Sequence, residues 1–279
     1  MRIALCFSGQ LRTWRKTITQ FKKFISILED KGHNVDVFCH MWNFNTYPNA
    51  IAASMQDFSP YEKVEQAEIN ELIAELDPKS FLVEEGSSAL HAQQSILNVT
   101  NKFILDTYGI NYYGHFFAPQ FYSVMRSAYL KRKYESDNNF VYDTCFRIRF
   151  DLLFTDDQLD YFFTKSHEFQ QPMGGTIFSV HNSNQQDFPY YRTGDIFWFS
   201  SSDTFDRICD FYRWMRLLGP AVFGDYENPP IEGTFYFYLK FLNLNIKNLH
   251  SDPSIARSDN YHYLRQQAGY DGVMSCDKI

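Results

Sequence analysis

Arg147, Arg149 and Asp151 stand at every second position of Phe146-Arg147-Ile148-Arg149-Phe150-Asp151, a stretch with the composition of a β-strand. Strand side chains alternate between faces, so the three charged groups are expected to share one side while Ile148, Phe150 and Leu152 share the other. Two chemistries suit such a row. Arginine and aspartate are seldom buried unless paired, which points to a salt-bridge network within the sheet. Equally, guanidinium groups fork onto phosphate oxygens, and a carboxylate at the C-terminal end of the strand can hold a divalent cation.

A second set of candidates is Ser8-Gly9-Gln10-Leu11-Arg12, directly after the apolar run from Ile3 to Phe7. Gly9 lets the backbone approach a ligand closely, Ser8 and Gln10 offer hydrogen bonds, and Arg12 can meet a phosphate or a base edge. A glycine turn between strand and helix is also an ordinary structural device. The segment is neither a P-loop nor a GxGxxG fingerprint, which disfavours an ATPase or a nicotinamide enzyme.

Both clusters need a sheet to position them, and the hydrophobic pattern supplies one. Ile3 to Phe7 has no polar interruption, as expected of a strand covered on both faces. Trp14, Ile18, Phe21, Ile25 and Leu28 then recur at helical spacing up to Gly32, and Val35 to Cys39 forms a second strand. Residues 2 to 40 thus read as a right-handed strand, helix, strand unit. Asn43 to Tyr61 has no clear period and reads as a loop. Ile69, Leu72, Ile73 and Leu76 mark a helix stopped by Asp77-Pro78, and Phe81 to Val83 a short strand. Helices follow near 93–108 and 119–135, separated by a loop from Gly109 to Gly114. Sheet returns from Val141 to Phe150, then a short helix at 156–163 and strands near 176–181 and 195–199. Ser202 or Asp203 can cap a helix to about Leu217, Pro230 can start one to about Leu242, and Asn245 to Leu249 closes the series.

Composition bounds what this sheet can serve. The 279 residues are 44% hydrophobic and 18% aromatic, enough for a large core, with no low-complexity linker and no internal repeat. A net charge of -7 with scattered Lys and Arg argues against a nucleic-acid surface, so any anion must be met locally. No segment reads as a signal peptide core or a membrane helix, and a cytoplasmic protein without a transmembrane segment is expected. Cys6, Cys39, Cys145, Cys209 and Cys276 are widely spaced without a CxxC pair, as free thiols in apolar surroundings would be. Asn98-Val99-Thr100 matches a glycosylation acceptor by chance composition.

Taken together, Ile3 to Arg12, Asp36-Val37-Phe38-Cys39-His40-Met41-Trp42, Phe121-Tyr122-Ser123, Arg147 to Leu152, Asp195-Ile196-Phe197-Trp198-Phe199 and the Glu232 helix resemble, in order and spacing, nucleotide-sugar glycosyltransferases of the GT-A-like type. The resemblance spans nearly residues 2 to 250, and its most specific pieces are the Ser-Gly-Gln-x-Arg loop and the Arg-x-Arg-x-Asp strand. It implies a single domain with a GT-A-like, Rossmann-like mixed and mainly parallel sheet flanked by helices. The nucleotide side would cover about 1–155, the acceptor side about 156–250, and the tail 251–279. Ser8, Gly9, Gln10 and Arg12 would cradle the nucleotide, with Tyr122 and Ser123 facing it, and Asp151 would stand at the family's metal-binding acidic motif. Arg149 replaces the first Asp of the usual Asp-x-Asp and could itself neutralise a diphosphate. Asp156-Asp157, close downstream, reads instead as the cap of the helix at 156–163.

The activity implied moves a sugar from a nucleotide diphosphate to a hydroxyl-bearing glycan or polysaccharide acceptor. Cleaving the bond to the diphosphate leaves negative charge on the departing oxygens, so a cation clamp lowers the barrier. Mg²⁺ or Mn²⁺ on Asp151, with His250 as a further ligand and Arg147 or Arg149 beside it, would form that clamp. A carboxylate must take the acceptor's proton if the enzyme inverts, and Asp195 and Glu232 are the candidates. His40 and Trp42, at the rim beyond the second strand, could touch base or sugar. The competing expectations are a non-catalytic nucleotide- or glycan-binding module of the same fold, and another nucleotide-dependent transferase such as a sulfotransferase or nucleotidyltransferase.

Overall fold

The computed structural model describes residues 1–45, 62–89, 91–92, 118–165, 174–180, 196–215, 231–249 and 254–255. The expected helix at 93–108, the loop from Gly109 to Gly114 and most of the loop from Asn43 to Tyr61 lie outside them.

The uninterrupted apolar run at the N-terminus builds β1 (Arg2–Gly9), whose residues Ile3 to Phe7 are completely buried. α1 (Trp14–Asp30) buries the stripe Trp14, Thr17, Phe21, Phe24 and Leu28, and β2 (Asn34–Trp42) lies parallel to β1 with Arg2 opposite Asn34. α2 (Gln66–Leu76) ends at Asp77, whose left-handed φ of 43° turns the chain toward β5 (Ser80–Glu84). Two-stranded ribbons not anticipated from sequence pair β3 (Phe44–Asn45) with β4 (Glu62–Lys63), and β7 (Leu152–Leu153) with β11 (Ser254–Ile255). α3 (Ala118–Asn138), β6 (Thr144–Ile148), α4 (Asp156–Lys165), β8 (Thr176–Val180), β9 (Phe197–Ser200), α5 (Ser202–Cys209), α6 (Ile231–Phe241) and β10 (Asn245–Leu249) complete the order.

Seven strands form one sheet in the order β10-β8-β9-β6-β1-β2-β5. Only β9 runs against its neighbours, so the sheet is mixed but mostly parallel, flanked by helices and compatible with a Rossmann-like fold. Two apolar layers cover it. One packs α1 and α2 against Leu5, Phe7, Val37, Phe146 and Ile148, and Phe24 sits within 5.2–6.4 Å of four ring neighbours there. The other packs α3, α5 and α6 against Ala4, Cys6, Phe38, Cys145 and Trp198. Because facing residues alternate along each strand, this split fixes which side every polar strand residue takes. No described helix is long and apolar enough to cross a membrane.

Within the second layer α3 and α5 are joined by buried ions. Lys131 is fully buried, with Nζ donating to Glu135 Oε2 at 2.9 Å and to the Ser202 hydroxyl and forming an ion pair with Asp206 Oδ1 at 3.0 Å. Ser202 in turn donates to Glu135 Oε1 at 2.7 Å. Burial pushes the Asp206 carboxyl up to about 6 despite the Lys131 charge. Cys6, Cys39, Cys145 and Cys209 are buried free thiols as expected, their thiol pKa values raised by burial, and Cys276 lies outside the described residues.

Candidate functional site at the switch point of the sheet

β1 is the strand from which the sheet grows in both directions, to β2 and β5 on one side and to β6 on the other. In open α/β sheets such a reversal opens a crevice at the C-terminal strand ends, and ligands settle there. The register places both sequence motifs at it. Phe7 lies opposite Ile148, Cys6 opposite Arg147, and Ser8 opposite His40. The turn from Ser8 to Arg12 and the turn after Ile148 therefore leave adjacent strands at one edge. Thr17 of α1 donates its hydroxyl to the Phe150 carbonyl at 2.6 Å, and so ties the second turn to the helix that follows the first.

The first turn is built for close approach. Gly9 has φ +129°, a region open to glycine, and a Cβ there would meet nothing within 4 Å. Leu11 is buried and anchors the loop, while Arg12 Nε donates to the Gln10 side-chain oxygen. Ser8 is completely buried, and its hydroxyl has no hydrogen-bond partner among the described residues. Native proteins rarely leave a buried hydroxyl unsatisfied, which singles this one out at the end of β1.

The second turn corrects the sequence reading. The strand expected from Val141 to Phe150 begins at Thr144 and ends at Ile148, because the chain turns through 149–152, closed by the Leu152 amide on the Arg149 carbonyl at 3.3 Å. The three charges consequently do not share one strand face. Arg147, 1% exposed, takes the side of Cys145 and Trp198, whereas Phe146, Ile148 and Phe150 enter the α1 layer. Arg149 and Asp151 lie in the turn and form a two-pronged ion pair, Nε to Oδ1 at 2.8 Å and Nη2 to Oδ2 at 2.7 Å. Of the two chemistries read from the row, the structure makes this pair a salt bridge.

That pair bears on the expected cation. Both Asp151 oxygens carry guanidinium hydrogens, and no three His, Cys, Asp or Glu side chains gather into a cation site among the described residues. A divalent ion on this carboxylate would use its remaining lone pairs and stand beside the Arg149 positive charge. The described residues by themselves supply Asp151 and no further gathered ligands for a cation there. His250 and Asp195 lie outside the described residues; Glu232 falls in the first turn of α6, as expected, and its side chain is not among those described. The helix at 156–163 is capped not by Asp156 but by Thr155, through reciprocal bonds with Gln158 at 2.8 and 3.2 Å. Asp156 instead pairs with Lys23 at 2.9 Å, which holds its carboxyl below the ordinary value.

Beyond Ser8 on the α3 side, the alternation of β2 and β5 brings His40, Trp42 and Glu84 together under α3. Glu84 Oε2 accepts from His40 Nε2 at 2.9 Å, while Oε1 accepts from Arg126 at 3.0 Å and the Tyr122 hydroxyl at 3.3 Å. The other ring nitrogen, Nδ1, is 2.6 Å from Ser123 Oγ. Burial lowers the His40 pKa against the pull of Glu84, so the ring is neutral at pH 7. A neutral ring facing a carboxylate must carry its proton on Nε2, which leaves Nδ1 to accept from Ser123. Burial alone would raise Glu84, but the His40 bond and the Arg126 charge outweigh it and hold the carboxyl below its ordinary value. Trp42 stacks on Tyr122 at 5.8 Å and meets the His40 ring edge-on at 4.8 Å.

The structure thus brings together Ser8, Gly9, His40, Trp42, Tyr122 and Ser123 of the expected residues, with Arg149 and Asp151 across β1. Sequence reading missed Glu84 and Arg126. Arg126 lies one helical turn after Tyr122, and Glu84 ends an apolar strand, but nothing local says that the two meet. Comparison with protein-family models and with curated protein sequences yields no match.

Proposed function

We propose that the chain is a GT-A-like glycosyltransferase that moves a sugar from a nucleotide diphosphate to a hydroxyl-bearing glycan acceptor. The observation that carries this reading is the meeting of the Ser8 to Arg12 turn and the Arg149 to Asp151 turn on adjacent strands at the switch point. Such a place suits a nucleotide, and the two motifs offer it complementary groups. The Ser8 hydroxyl and the open backbone at Gly9 receive polar atoms at close range, and Arg12 and Arg149 bring charge for phosphates. Cations fixed beside the leaving diphosphate stabilise charge that grows in the transition state. Asp195 or Glu232 would take the acceptor's proton in an inverting reaction.

A thermal-shift screen of the full chain with UDP-, GDP-, CMP- and dTDP-sugars, each with and without Mn²⁺, tests the reading. A donor at 100 times its Kd should stabilise by about 2.7 kcal/mol, or about 5 °C. A shift only with a non-sugar nucleotide would point to a different transferase class. The neutralised Asp151 also favours a second reading, a binding module without transfer. Donor binding with no transfer or hydrolysis across the panel would establish it.

A further inference from the structure

We infer, resting on the glycosyltransferase reading above, that the site recognises its diphosphate without a divalent cation, Arg149 supplying the charge and Asp151 acting as the positioning residue that holds it. Charge arithmetic makes the exchange balanced. An Asp-x-Asp pair needs a doubly charged ion to reach neutrality, whereas the Arg149–Asp151 ion pair is neutral as it stands. An ion entering this turn would meet the Arg149 guanidinium, a group that cannot be relieved by losing a proton.

The geometry favours a fixed cation over an exchangeable one. The fork engages Nε and Nη2, so the plane of the guanidinium is set by Asp151, and Nη1 is the vertex away from the carboxylate. Asp151 is 5% exposed, and the buried residues Phe150 and Leu152 fix the backbone on either side of it. The Thr17 bond to the Phe150 carbonyl holds the turn against α1. An arginine ordered in advance loses little freedom when an anion arrives, and planar forks match phosphate oxygens in a way that a flexible chain does not. The residue that departs from the family's acidic pattern is therefore the one the fold immobilises at the switch point.

Calorimetry on the full chain with UDP, GDP, CDP and dTDP, in EDTA and again in Mn²⁺, decides the question together with electron paramagnetic resonance of free Mn²⁺. The nucleotide that binds should do so with affinities within about threefold in the two conditions, and the protein alone should leave the free Mn²⁺ signal unchanged. Arg149→Met should weaken binding at least about tenfold, the loss of a charge-assisted hydrogen bond. Asp151→Asn should weaken it less, since the charge stays while its aim loosens. Binding that appears only with Mn²⁺, or Mn²⁺ taken up by the wild type but not by Asp151→Asn, would overturn metal independence and leave the glycosyltransferase reading standing. No binding by any of the four in either condition would overturn both. The wild-type comparison decides even where a variant fails to fold.

Discussion

Replacing Glu84 with Gln should reverse the proton polarity of the buried chain from residue 84 through His40 to Ser123 and cost about 2–3 kcal/mol of stability. The Glu84 carboxylate accepts two short bonds, from His40 at 2.9 Å and Arg126 at 3.0 Å, and one long bond from Tyr122 at 3.3 Å. A hydrogen bond to a charged group contributes about 1.5–3 kcal/mol and a neutral one about 0.5–1.5, so each short bond loses roughly 1–1.5. The bond at 3.3 Å adds little. A Gln amide can still accept from Arg126 and Tyr122 through its oxygen, but its NH₂ would face the Nε2–H of His40, donor against donor. The ring can escape by moving its proton to Nδ1, after which Nε2 accepts from the amide and Ser123 Oγ accepts from Nδ1. Urea denaturation at pH 7.5 measures the stability, and ¹⁵N chemical shifts of the His40 ring report the tautomer. The stability difference should also fade as pH falls below the ordinary carboxyl value and through the lowered value of Glu84, where the wild-type carboxylate is itself protonated. A loss below about 0.5 kcal/mol, or an unchanged tautomer, would refute this account of the chain.

Three further outcomes follow from the same structure. Lys131→Met should destabilise by about 3–5 kcal/mol at pH 8, because Glu135 and Asp206 are left buried without their cation. That penalty should shrink by pH 5, since Asp206, already raised to about 6, takes up a proton there and no longer needs a counter-charge; denaturation curves at the two pH values check both points. Ser8→Ala should leave the free protein as stable or slightly more so, since it removes a buried hydroxyl with no partner among the described residues, yet it should weaken binding of the nucleotide found by thermal shift. Stability should fall as pH drops from about 6.5 through the lowered value of His40, because the unfolded chain takes up the proton that the buried ring resists, and a denaturation series across that window should show the slope.

The elements were legible because their signals are local. The apolar run to Phe7, the helical stripe from Trp14 to Leu28 and the turn at Asp77-Pro78 each place a boundary within a few residues of the observed one. The error at Phe150 has an equally local origin: alternating charge and apolar residues look like a strand whether or not the chain turns. What turns it is the tie from Thr17, distant in sequence, and the fork between Arg149 and Asp151. The helix end at Cys209, short of the expected Leu217, falls at Asp210, after which helical backbone resumes at 211–215.

The sequence by itself determined the mostly parallel α/β sheet and the two motifs at the ends of β1 and β6, since hydrophobic period and glycine placement act over a few residues. Tertiary structure alone decided what those motifs do to each other and to the rest of the site. Only packing of α3 over β2 and β5 brings Arg126, Glu84, His40 and Ser123 into one hydrogen-bonded chain. Only the turn after Ile148 gives Asp151 to Arg149, because an ion pair depends on separation and orientation in space, and neither is written in the spacing of residues along a chain.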